Sequence, residues 1–314
     1  MENYTAVNSE DILKSKNVVC FGAQDYFREN ISKIKDSINV KFVFPDGNYN
    51  KESVKKYVLL DNMSSLKKLD NPYVLIARGA GEKIRIIAEN LRRLNIPFSH
   101  LDFYSTNYIR VHYLKALGVY DFIDLNNNHV TIDPQISDKV IIKKENATNC
   151  TVNLGKVKVQ TNLGIQIMGN MAKCRICSNS TFVETQIVIN TNGYVEVGED
   201  CMFSHGIRIS QSDQHHIFDL ETHKRINHAK PVKIGNHVWV GRECELLGGA
   251  TIGNNSIVGA KSVTSSSFGN NVVLAGSPAR VIREKVIWAR DVLKSNDYQT
   301  YDECEDKAGL KYLD

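Results

Sequence analysis

No stretch of this sequence comes near the ~20 consecutive apolar residues that a membrane-spanning helix needs, although 42% of its 314 residues are hydrophobic. The apolar residues are interspersed with charged ones, 24% of the chain, as in a soluble globular protein. The start, "MENYTAVNSED", has no apolar core and is acidic, which excludes a secretory leader and makes a cytoplasmic setting the expectation. A block of one charge sign is also missing. The net charge is +4 and the basic residues are dispersed, so nucleic acid is not an expected partner. The seven cysteines form no framework of paired spacings, which points to a reducing compartment. Only Cys174 and Cys177 have the spacing of metal ligands. No second pair stands near them, so they read as packing residues and no metal is expected.

What is there falls into two rhythms, and the length suits two modules. Up to about residue 145, short apolar runs alternate with a helical pattern. "NVVCFGA", "VKFVFPDG" and "YVLIARG" read as buried strands, and Ile84, Ile87, Leu91 and Leu94 recur as one face of a helix. That order predicts an α/β, Rossmann-like domain with a parallel sheet. Glycine-bearing turns after such strands are candidate anion sites. "FGAQDYF" keeps only Gly22 of a dinucleotide fingerprint, and "RGAGEK" has two glycines without the third, so a structural turn and a nucleotide site both stay open.

After about residue 150 the beat changes. Ile234, Val240, Leu246, Ile252 and Val258 fall six residues apart, and Gly235, Gly241, Gly253 and Gly259 follow four of them. The beat recurs upstream at Val197, Phe203 and Ile209, and more loosely at Ile176, Phe182 and Val188. Six residues is too short for a helical repeat. It suits a chain coiling around a narrow core, with one inward aliphatic per flat face, a small residue at the corner and coils about 4.8 Å apart. The expected organisation is therefore a Rossmann-like domain over residues 1–145, a parallel β-helix over 146–283 and a short helical tail over 284–314, in which Ile287, Trp288 and Leu293 would cap one end.

The beat breaks once, over the 25 residues from Ile209 to Ile234. A loop that interrupts a regular solenoid is a natural place for function. Ser210–Arg242, spanning that loop and the coil after it, holds five of the chain's nine histidines. Here "SDQHHIFD", "RINHAKPVKIGNHVWVG", "GGATIGNNSIVGAKSV" and "AGSPARVI" follow one another, and in that order the chain resembles the hexapeptide-repeat, left-handed β-helix acyltransferases, in particular their sugar and polysaccharide O-acetyltransferases. The resemblance covers roughly residues 165–283; the first half lies outside it.

The resemblance implies a catalytic histidine at the fourth position of S-D-x-H, His215, and a site tryptophan in H-V-W-V-G, Trp239. A sugar hydroxyl attacking a thioester needs a base for its proton, and imidazole titrates near working pH. Asp213 could orient that imidazole, as could a backbone carbonyl; His216 reads as a polar loop residue. The family's donor is acetyl-CoA, which would lie along Gly241, Ala260, Lys261, Ser277, Pro278, Arg280 and Arg283. Its members are trimers with the site between subunits. Cys201 and Cys244 sit inside the repeat as inert packing, which favours direct transfer over an acyl-enzyme. The other readings are an N-acetyltransferase for an amino nucleotide-sugar, a three-histidine carbonic-anhydrase-like lyase, and a scaffold without activity. The acceptor sugar and the acidic stretch "YDECEDKAGLKYLD" stay unassigned.

Overall fold

The computed structural model describes residues 7–8, 12, 14–22, 40–45, 58–60, 62–76, 82–100, 108–124, 126–291 and 298–313, in two compact units, 1–131 and 132–314. In the first, strands β1 (Asn17–Gly22), β2 (Val40–Pro45), β3 (Val58–Leu59), β4 (Pro72–Ile76) and β5 (Phe98–His100) form a wholly parallel sheet in the order β3-β2-β1-β4-β5. Parallel strands bury both faces. Val19, Val74, Leu75 and Ile76 are accordingly inaccessible. Helix α1 (Glu82–Arg93) buries Ile84, Ile87 and Leu91 as its spacing predicts, whereas Leu94 lies just past its end. Asn95, at φ 54°, turns the chain there, and the Ile96 amide donates back to the Leu91 carbonyl. The turn "RGAGEK" lies outside the described residues as far as Gly81, as does "FGAQDYF" after Gly22. No described helix is long and apolar enough to cross a membrane.

The second unit is a parallel β-helix with three faces. One face stacks Thr151–Leu154, Lys173–Ile176, Tyr194–Val197, Val232–Ile234, Thr251–Ile252 and Ser267–Phe268. The second stacks Met202–Phe203, Trp239–Val240, Ile257–Val258 and Val272–Gly276; the third, Ile207–Ser210, Glu245–Leu247 and Val263–Thr264. The six-residue beat becomes vertical columns of buried side chains: Ile176, Val197, Ile234 and Ile252; then Phe182, Phe203, Val240 and Val258; then Ile209 over Leu246. Phe182 and Phe203 stack with centroids 4.6 Å apart. The loosest upstream position corrects itself by one residue. Ile187, not Val188, is in register with Ile209, because Thr181–Ile189 is a continuous strand spanning the second and third faces without a turn.

Two boundaries differ from the expected ones. Val140–Thr148 pairs in parallel with Lys158–Asn170, so the coil starts before residue 146: the alternation of buried Val140 and Ile142 with half-buried Ile141 is already that of a wall strand. At the other end Ala279–Glu284 folds back antiparallel on Val272–Gly276, and residues 285–291 are irregular rather than helical; the tail's described helices are the 3-10 turns Tyr301–Glu303 and Ala308–Tyr312. Leu293 lies outside the described residues. The corners repeat as strictly as the faces. The side-chain oxygens of Asn236, Asn254 and Asn270 accept from the backbone amides of Glu199, Asn236 and Asn254, each at 2.8 Å. One asparagine per coil thus satisfies a backbone donor that the turn leaves unpaired.

Candidate active site

The inserted segment is an ordered loop. Its neck closes where the Lys230 amide donates to the Gln211 carbonyl at 3.3 Å. A Cβ on Gly248 would lie 2.6 Å from that same carbonyl oxygen, so the coil following the loop passes the neck only as glycine. This is the physical demand behind the first glycine of "GGATIG". Farther out the limbs pair antiparallel, with Phe218 opposite Arg225 and the Ile226 amide donating to the Ile217 carbonyl at 2.9 Å. At the tip the Asp219 carboxylate accepts from the amide and hydroxyl of Thr222, both at 2.7 Å, and these bonds hold its carboxyl below the ordinary value.

Asn227 ties the limbs together near the candidate base. Its amide nitrogen donates to the His215 carbonyl at 2.7 Å and to the Asp213 carboxylate at 3.0 Å, while its oxygen accepts from the Ile217 amide at 2.8 Å. The backbone of His215 is therefore fixed and its side chain is exposed. One carboxylate oxygen of Asp213 accepts from Asn227, which braces the loop. Nothing in the sequence singled Asn227 out. Gln214, at φ 67°, turns the chain just before His215.

Trp239, 39% exposed, sits on the outer side of the second face between Met202 and Ile257. The candidate donor-binding residues follow on the same stack. Gly241 packs against Ala260 so closely that a Cβ on Gly241 would meet the Ala260 nitrogen at 2.7 Å. Lys261, next along, is exposed and 3.5 Å from Glu243. One coil on, Gly259 faces Ala275, and the chain reverses through Gly276, Ser277 and Pro278, with Ser277–Pro278 a cis peptide and Arg280 exposed opposite Ala275. Stacking thus brings Gly241, Ala260 and Lys261 together and sets the Ser277–Arg280 hairpin beside them. Close backbone approach and exposed cations fit an elongated anionic donor.

Behind Trp239 stands a cluster that sequence reasoning missed. His237 is fully buried, its Nδ1 2.8 Å from Asp200 and its Nε2 3.1 Å from the Trp288 carbonyl. The Trp288 indole donates to the His237 carbonyl at 2.8 Å and stacks on its ring at 4.0 Å, with Trp239 6.0 Å away. Arg290 donates to Asp200, Thr181 and the carbonyl of Cys201. Burial pushes the Asp200 carboxyl up, but His237 and Arg290 outweigh it and hold the carboxyl below its ordinary value. The cysteines behave as packing: burial pushes Cys174 and Cys201 up to about 12 and raises Cys244 as well. Among the described residues no three His, Cys, Asp or Glu side chains gather as a metal would need.

Comparison with known proteins gives a consistent picture. The bacterial transferase hexapeptide family (six repeats) matches residues 231–266. The chain is 36% identical over 182 residues to the polysialic acid O-acetyltransferase of Neisseria meningitidis, covering 55% of this chain and 80% of that protein. It is 37% identical over 103 residues to the polysialic acid O-acetyltransferase of Escherichia coli O1:K1 / APEC, covering 33% of this chain and 34% of that protein. Among solved structures, the polysialic acid O-acetyltransferase OatWY overlaps 60% of this chain and 96% of its own, at 28% identity and a TM-score of 0.36. With four motifs in order, the stacked coils and a relative matched over most of its length, the chain belongs to the hexapeptide-repeat acyltransferases, as an O-acetyltransferase whose second unit is a left-handed β-helix.

Proposed function

We propose that this protein transfers the acetyl group of acetyl-CoA to a hydroxyl of a surface polysaccharide or its precursor, with His215 as general base. The observation that carries the reading is the braced loop: an exposed imidazole whose backbone is held by Asn227, on an insertion whose neck demands Gly248. In the forward step the imidazole of His215 takes the hydroxyl proton as the sugar oxygen bonds to the thioester carbon. As the carbon–sulfur bond breaks, the imidazolium returns that proton to the departing sulfur. The donor would lie along Trp239, Gly241, Ala260 and Lys261, with Ser277, Pro278 and Arg280 at its far end. Direct transfer is favoured because the thiols of Cys201 and Cys244 are buried and held protonated at neutral pH. In this reading Asp213, one of whose carboxylate oxygens accepts from Asn227, helps to hold the loop segment that carries His215.

The polysaccharide assignment draws on the relatives, which act on polysialic acid by name, while others are described as putative colanic acid and lipopolysaccharide acetyltransferases. We read the protein as a cytoplasmic homotrimer on the family resemblance, and place a subunit contact at the exposed apolar side chains of Ile217, Phe218, Leu220 and Ile226, Leu220 being 91% exposed. The first unit is read as Rossmann-like from its parallel strand order. Calorimetric titration with CoA tests the whole. Binding that is weakened by Lys261→Glu or Arg280→Glu, which reverse exposed charges at the proposed donor site, is the expected result; absence of binding at millimolar CoA to a folded protein would remove the transferase reading.

A further inference from the structure

The loop has a second side. Beneath it lies a cavity of about 500 Å³, walled by loop residues that include His216, Arg225 and His228 and by the corners of three preceding coils at Asn146, Gly169 and Asn192. That volume is within the ~300–1,000 Å³ range of small-molecule pockets. His216 lines it; His215 does not. The cavity is therefore separate from the candidate base, though one peptide bond away from it.

Its walls offer uncommitted polar groups. Arg225 spends Nε and one terminal nitrogen on Asn227, at 3.3 and 3.1 Å, and no hydrogen bond is made by its other terminal nitrogen among the described residues. The imidazoles of His216 and His228 line it as well. Glu145, the carboxylate in the wall, is already bonded to Gln166 at 3.0 Å and paired with Lys143 at 3.2 Å. Amides, imidazoles and a guanidinium, each able to donate or accept in a plane, suit the hydroxyl ring of a sugar better than an apolar guest. The ring of Phe218, 59% exposed and 6.0 Å from that of His216, adds a flat apolar surface nearby.

We propose that this cavity holds a second sugar residue of a polymeric acceptor, a neighbour of the residue whose hydroxyl is presented to His215. The inference rests on the acetyl-transfer reading of His215. It makes the enzyme a reader of chains: the subsite contributes to binding only when the acceptor is long enough to reach both sides of the loop.

The test is direct binding to the full-length His215→Ala variant without acetyl-CoA, so that no acceptor is turned over. Three tetramers, maltotetraose, tetragalacturonate and α2,8-linked tetrasialate, are titrated calorimetrically beside their monomers. At least one tetramer should bind about tenfold more tightly than its monomer, a gain of about 1.4 kcal/mol. Adding His216→Ala or His228→Ala, or filling the cavity with Ala229→Trp, should abolish that preference while CoA-induced protection against unfolding shows that the fold persists. Equal affinities for all three tetramers and their monomers would overturn the proposal, as would a preference that survives all three second substitutions. CoA binding and acetyl transfer by the unmodified chain are scored separately. Loss of those with the tetramer preference intact would sink the transferase reading and leave the subsite standing.

Discussion

His215 and His216 are neighbours in sequence and differ in what surrounds them. His215 has its carbonyl gripped by Asn227 and stays out of the cavity that His216 lines. His215→Ala should lower kcat by about 10²–10⁴-fold and leave CoA affinity nearly unchanged, because the base acts in the transition state and not on the donor. His216→Ala should lose less than tenfold at saturating acceptor. The reverse order in steady-state kinetics would show that the wrong imidazole carries the proton. A second residue-scale prediction concerns Asp200, whose folded carboxyl is held below the usual ~3.9. A depressed carboxyl stabilises the fold fully above the unfolded value, and that contribution drains away as pH falls through the folded one. Urea unfolding followed against pH should therefore weaken below about pH 4, and Asp200→Asn should flatten that acid limb. An unchanged limb would place the acid sensitivity elsewhere.

At the scale of elements, the loop and the tail use the same device: one polar side chain joins strands that the backbone alone leaves apart. Asn227 does this for the loop with bonds to Asp213, His215 and Ile217. Because the loop is exposed, removing them should hardly change global stability, whereas a misplacement of about 1 Å can cost ~10²-fold in rate. Asn227→Ala should therefore lower kcat by about ten- to a hundredfold with the thermal midpoint nearly constant. Asn227→Asp should not rescue it, since a carboxylate cannot donate to the His215 carbonyl and would repel Asp213. Full activity in the aspartate variant would show that only the bonds accepted from Ile217 and Arg225 matter. Arg290 plays the corresponding part for the tail, tying it to Asp200, Thr181 and the coil carbonyls while Trp288 stacks on His237 behind Trp239.

For the whole molecule, the second unit is a stack in which each coil covers the next, so the coils at its ends are the ones that lack a neighbouring coil on one side. The exposed apolar residues of the loop, Leu220 above all, are where we place the subunit contact. Leu220→Asp should convert a sedimenting trimer to monomers, lower activity and leave the far-ultraviolet circular dichroism unchanged. A wild-type chain that sediments as an active monomer would refute the shared-site arrangement.

The six-residue beat, read without coordinates, was enough to place Ile234, Val240, Leu246, Ile252 and Val258 inside a parallel coil, because in a coil of constant size the inward direction recurs at constant intervals. The interruption of that beat likewise located the loop, and motif order singled out His215, Trp239 and Gly241 as the candidates. What only the tertiary structure decided has no period to betray it. The one-residue shift to Ile187 and the start of the coil before residue 146 depend on long strands that span two faces without a turn. Asn227 looks like any polar loop residue until the limbs pair, and Asp200 and Arg290 lie 90 residues apart. The cavity under the loop needs corners from three coils and two limbs of a hairpin at once. Spacing records the geometry a chain repeats along its own length; contacts between distant segments form only when the coil has closed and brought them within hydrogen-bond range.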